Sequence, residues 1–186
     1  MKGWAARVFF LGLLLLGGAP GYSDEAAWKE LNLQAMKAAQ EGKTGAAIGH
    51  VEKALAMARA EKNALNTYKS LNNLGVLHLS ARDLAEARKD FDEALALMEA
   101  EQGKDAPAVV DTLVNRSKLE ILENNAAAAV SDLERALRLC EKHYGAESAQ
   151  TGAVLRTIVP LYQAMGLVEE ARAGIERLKK IVSSAR

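Results

Sequence analysis

The side chains in this 186-residue sequence that could do chemistry are three histidines, one cysteine and a recurring set of asparagines. His50, His78 and His143 fall in different segments. None has a cysteine or carboxylate at ligand spacing beyond what acidic helical segments produce by chance, so no metal centre is expected. There is no phosphate-cradling glycine loop, and spacing places no Ser, His and Asp set. Cys140 stands alone, which suits an oxidising compartment because a lone thiol cannot mispair within its own chain. Beside Leu139 it reads as a small buried hydrophobe rather than a reactive thiol or half of an intermolecular disulfide. The expectation is a protein that is not an enzyme and holds no cofactor. The asparagines Asn32, Asn72, Asn73 and Asn115 need a reason, since asparagine is a poor helix former. A side-chain amide both donates and accepts, so it can clasp the peptide group of an extended ligand whatever that ligand's side chains are. Equally, Asn73 and Asn115 can serve only to hydrogen-bond an adjacent segment.

The elements that position these amides are clearest between Leu71 and Glu99. Leu71, Leu74, Leu77 and His78 mark one amphipathic helix, and Leu84, Ala87, Phe91, Ala94, Leu95 and Met98 mark a second. Arg82 and Asp83 break the pattern between them. Gly75, Ala87 and Ala94 are small enough for two helices to approach closely, and Phe91 fills the gap. A shift of 42 residues carries Leu71, Asn73, Ala87, Phe91 and Ala94 onto Leu113, Asn115, Ala129, Leu133 and Ala136. A second shift of 42 reaches Leu155, Ala171, Ile175 and Leu178, and a backward shift of 40 reaches Leu31, Ala35, Ala47, Val51 and Ala54. Four hairpins follow, over about 28–58, 68–101, 108–142 and 150–182. Aromatics at 5% and abundant alanine fit closely packed helices and not sheets, so the expected fold is all-α. Each hairpin of such an array buries its apolar face only against its neighbours.

The order Leu74, Gly75, then Ala87, Phe91, Ala94 resembles the tetratricopeptide repeat. The 42-residue period, the NNL of Asn72 to Leu74 and the linker Gly103 to Pro107 are similar to the long variant of kinesin light chains and many bacterial exported proteins. In the third repeat Arg116 and Ser117 replace the leucine and glycine. In the fourth, Val159 and Leu178 replace small residues, which predicts altered packing angles. The resemblance implies an α-solenoid of about four repeats in a right-handed superhelix whose first helices line a concave groove. It also implies a protein or peptide partner there. Counting from the matched residues, the groove side takes Asn32 and Met36 (with Lys29 and Leu33) from the first repeat. Lys69, Asn72, Asn73 and Val76 come from the second, Asn115 and Lys118 (with Asp111 and Val114) from the third, and Arg156 (with Thr157) from the fourth. His78 occupies a place where the family commonly has an aromatic, and is expected to pack between helices. Family members that grip a C-terminal carboxylate have basic residues where Asp111 and Asn115 stand, and an asparagine where Met36 stands. A chaperone-tail receptor is therefore not expected.

Residues 1–23 look like an export signal: Lys2 and Arg7, an apolar run from Val8 to Leu16, then small residues before Asp24. The run is too short to span a bilayer comfortably. The expectation is cleavage after Ser23, a repeat domain over 24–186 and a periplasmic or secreted location, with an uncleaved inner-membrane anchor as the alternative. No membrane span is expected after cleavage. Without the leader the chain carries 22 basic and 24 acidic residues. The two signs alternate along the helices without a basic stripe, so nucleic acid is not an expected partner, and the charges read as solvated faces. Pro160 falls inside a first helix and predicts a bend that opens the groove. Ile175, Leu178, Ile181 and Val182 predict an apolar stripe on an uncapped last helix, through which the array could join end to end as a homo-oligomer.

Overall fold

The computed structural model describes residues 22–184. They form eight α-helices: α1 (Tyr22–Gln40), α2 (Thr44–Ala60), α3 (Ala64–Ser80), α4 (Leu84–Gln102), α5 (Val110–Leu122), α6 (Ala126–Tyr144), α7 (Ala149–Ala164) and α8 (Val168–Ser184). A short 3-10 turn at Pro107–Val109 leads into α5, and there is no strand among the described residues. Each helix packs against the helices before and after it in the chain, giving an all-α solenoid. The first helix starts at Tyr22, ahead of Trp28 and within the last residues of the expected leader. The rest of that leader, residues 1–21, lies outside the described residues.

Five of the seven connections are the same tight turn, with a left-handed residue at Gly42, Lys62, Arg82, Asn124 or Gly166. At Arg82 the amide of Arg82 donates to the Leu79 carbonyl (3.1 Å), and the next amide, Asp83, reaches back to His78 (2.9 Å). This pair of bonds satisfies carbonyls that the helix end would otherwise orphan. Asn63, Asp83 and Asn125 then cap the following helices by accepting from the amides of Asn66, Glu86 and Ala128. The connections at Gly103 and Gly145 are longer, which explains why the repeat lengthens from 40 to 42 residues after the second hairpin. The tight Lys62 turn makes α2 and α3 pack almost as a hairpin, whereas α4 and α5, joined by the long linker, touch least among sequential helices.

The close approach expected at Gly75 is present. A Cβ there would overlap the ring of Phe91, which is fully buried together with Ala87 and Ala94. In the third hairpin Ser117 takes the place of Gly75 with no exposed surface, returning its hydroxyl to the Val114 carbonyl at 2.7 Å. In the fourth the sizes are exchanged: Val159 on α7 faces Gly174 on α8, where a Cβ would overlap the valine methyl. The small residue has moved to the second helix, so the substitution at Val159 is matched by its partner. Helix α7 continues through Pro160, which is exposed, to Ala164.

Candidate functional site

The first helices of the hairpins bring their polar residues to one face of the array, where two cavities adjoin. The larger, about 730 Å³, lies between α3, α5 and α7 and includes Asn72, Asn73, Val76, Val114, Asn115 and Lys118 in its lining. The smaller, about 430 Å³, lies between α1, α3 and α5 and includes Trp28, Asn32, Lys69, Asn72 and Asn73. Asn72, Asn73, Ala108 and Asp111 belong to both, so the cavities form a continuous groove. Met36 and Arg156 line neither: Met36 is 52% exposed, and Arg156 is exposed with its guanidinium lying toward Gly152 of its own helix. Leu33, 54% exposed, is also outside both cavities.

The amides are tied to one another across hairpins. Asn73 Nδ2 donates to Asn32 Oδ1 (3.0 Å), and Asn32 Nδ2 to the Trp28 carbonyl (2.8 Å). Asn72 Oδ1 accepts from Asn115 Nδ2 (3.3 Å), whose own Oδ1 accepts from Lys118 Nζ (3.1 Å). The Thr112 hydroxyl lies 2.9 Å from both Asn72 Oδ1 and Tyr68 Oη, while Tyr68 donates to the Ala108 carbonyl. A hydroxyl has one hydrogen to give, so Thr112 serves one of these acceptors at a time. Asn73 and Asn115 thus bond the adjacent hairpin. Among the described residues, the Asn72 Nδ2 group and the Asn73 Oδ1 atom have no protein partner and face the groove. Burial is the main reason the Tyr68 hydroxyl and the Cys140 thiol both lie above their ordinary pKa, and the Asp111 carboxylate adds to each.

Sequence reasoning missed the floor of this groove. Trp28 is 7% exposed, donates its indole N–H to Ser70 Oγ (3.0 Å) and carries the Lys69 ammonium 5.8 Å from its ring centroid. That cation–π contact holds Lys69 against the first hairpin. Tyr68 and Thr112 are buried beneath the asparagines, and Tyr144 and Cys140 reach the larger cavity from α6. The signal available for Tyr68 and Thr112 was their place one turn before the paired asparagines, at an interval close to the repeat length.

The charges read as solvated faces are in large part bridges between hairpins. Arg59 pairs with Glu93, Arg135 with Glu99 and Arg177 with Glu141, each linking one second helix to the next. Arg116, which replaces the usual leucine, donates through Nε and Nη2 to both oxygens of Asp132 (2.9 and 2.7 Å) and through Nη1 to Asp92 (2.7 Å). His78 does pack between helices, but as a polar group, with Nδ1 2.6 Å from Asp90 Oδ2. No three His, Cys, Asp or Glu side chains among the described residues converge to hold a metal, and no described helix is long and apolar enough to cross a membrane.

Residues 66–142 match the family model of the tetratricopeptide repeat. That segment carries tetratricopeptide repeats. The array superposes on the crystal structure of BtubC (BKLC) from P. vanneervenii with a TM-score of 0.76 and 20% identity, covering 89% of this chain and 67% of that one. It superposes on a Podosopora anserina putative kinesin light chain of nearly identical TPR-like repeats with a TM-score of 0.69 and 16% identity, covering 90% and 81%. At these identities the likeness is one of fold. No curated protein sequence is significantly similar to this one. Tetratricopeptide-like repeats generally mediate protein–protein interaction.

Proposed function

We propose that this tetratricopeptide array is a non-catalytic scaffold or adaptor of the cell envelope, exported by the leader of residues 1–23, that holds a peptide or helix of a partner protein in the groove. The observation that carries this reading is the joined pair of cavities on α1, α3, α5 and α7, in which Asn72 and Asn73 keep an unused donor group and an unused acceptor. An extended peptide offers both complements at each residue. Val76, Val110, Val114 and Val154 supply the apolar contacts beside them. Asn32 and Asn115 then support the ligand-facing amides, and Met36 and Arg156 contact only a ligand that extends beyond the cavities.

Crosslinking in the native host followed by mass spectrometry tests the reading. Asn73→Asp and Asn115→Asp would also disturb the bonds between hairpins, so the better variant pairs Val76→Arg with Ala153→Arg, both exposed in the groove and unbonded by side chain. Loss of a captured protein from this variant is expected. Capture that survives it would move the contact away from the groove.

A second reading, a structural array that self-associates through α8, is favoured by one feature. Val168 and Val182 are 67% and 50% exposed, and with Ile175 and Leu178 they line two shallow apolar depressions. Light scattering of residues 22–186 at tens of micromolar separates the readings, because a strict monomer removes self-association.

A further inference from the structure

We propose that Asp111 is the charge-selecting residue of the groove, and that the peptide it binds presents a cation, a lysine or arginine side chain, to that carboxylate. The inference rests on the groove reading above and deepens it. Asp111 lines both cavities, at the place where they join. It is exposed, and no ion pair or hydrogen bond from any described residue meets its side chain. The two lysines of the groove are held elsewhere, Lys69 over the Trp28 ring and Lys118 on Asn115 Oδ1. No other side chain lining either cavity carries a formal charge. The groove therefore has one carboxylate at its centre and a lysine toward each end, and none of the three is in an ion pair among the described residues, so Asp111 is the one place in the lining that favours a cation. Its field reaches the walls, since the same carboxylate helps to raise the proton affinity of Tyr68 and Cys140.

Asp111 also sits in the first turn of α5, where a carboxylate is favoured by the helix dipole. A role confined to that dipole would change helix stability and leave ligand choice untouched, which makes ligand choice the decisive readout. A cation docked in the groove, beside Val110 and Val114, is partly desolvated, so its ion pair is stronger than one on an open surface.

The test is selection of a random peptide library displayed on phage against the full-length chain in detergent, run in parallel with Asp111→Asn and Asp111→Lys. Enriched peptides are expected to align on one lysine or arginine, to lose roughly tenfold or more in affinity for Asp111→Asn, as a hydrogen-bonded charge implies, and to be replaced by peptides with an acidic residue there in the Asp111→Lys selection. Peptides that compete for the groove but show no basic position, or the same basic position with Asp111→Lys, overturn the charge assignment while leaving the groove reading intact. Failure to enrich any peptide that the Val76→Arg, Ala153→Arg variant rejects overturns both. Asp111→Asn preserves size, so the test does not depend on the lysine variant folding.

Discussion

At the scale of single residues, one position on the second helix of each hairpin is solved four ways. It is His50 in the first hairpin, Asp90 in the second, Asp132 in the third and Gly174 in the fourth. Asp90 meets His78, and Asp132 meets Arg116, two different partners from two different turns of the facing helix. His50 has no such partner, and its Nδ1 is buried without a hydrogen bond. Burial pushes Asp90 above the ordinary carboxylate range, while His78 draws it back. His78→Ala is expected to destabilise the array by about 2 kcal/mol in urea titration, because it strands a buried carboxyl. An unchanged midpoint would mean that water already serves Asp90. Tyr162 gives a pH dependence. Burial first, and the Glu134 carboxylate second, push its hydroxyl from 10 up to about 12. The unfolded chain releases that proton near 10 and the folded chain keeps it. The stabilisation is therefore whole below pH 10 and is lost as pH rises through about 12. Denaturant titrations across this window should show a shallower decline for Tyr162→Phe than for the wild type, and parallel curves would refute the assignment.

At the scale of elements, the turns and the helix contacts were legible to different degrees. The breaks at Gly42, Arg82 and Asp83 are visible in the sequence because apolar periodicity stops there, but a left-handed arginine or lysine has no local signature. Arg82 (φ 65) and Lys62 (φ 54) adopt that conformation because the hairpins on either side impose it. Arg82→Gly is expected to raise stability by roughly 0.5–1 kcal/mol, the strain relieved exceeding glycine's entropic cost. A lower melting temperature would show that the arginine side chain matters more than its backbone. The close contacts follow a rule of complementary size. Gly174→Ala should cost about 1–3 kcal/mol through overlap with Val159, and adding Val159→Ala should recover part of it. Additive losses in that double-mutant cycle would mean the two residues are independent.

At the scale of the whole molecule, the array is held by contacts between neighbours in the chain, supplemented by a ladder of ion pairs from α2 to α4, α4 to α6 and α6 to α8. Such an assembly has no single core whose loss unfolds everything. Deleting residues 149–186 should leave the first three hairpins helical, with a denaturant m-value lower by roughly a quarter. Total loss of helical circular dichroism would show that the fourth hairpin is needed by all the others. The junction between α4 and α5, which Asp111 adjoins, has the fewest close contacts of the sequential pairs but is bridged by Arg88 to Glu120 and by Arg116 to Asp92.

The sequence by itself determined the number, type and order of the helices and which of them share a face, because apolar spacing and a 40- to 42-residue interval act locally and survive without a fold. It also indicated that Asn72, Asn73 and Asn115 stand together. Tertiary structure alone decided what those amides touch, that Met36 and Arg156 fall outside the cavities, that Val159 is answered by Gly174, and that Arg116 and His78 find carboxylates on the facing helix. Those outcomes depend on distances between residues about 12 to 43 positions apart, set by the angle and rotation of one helix on another. Periodicity within a helix carries no information about either quantity.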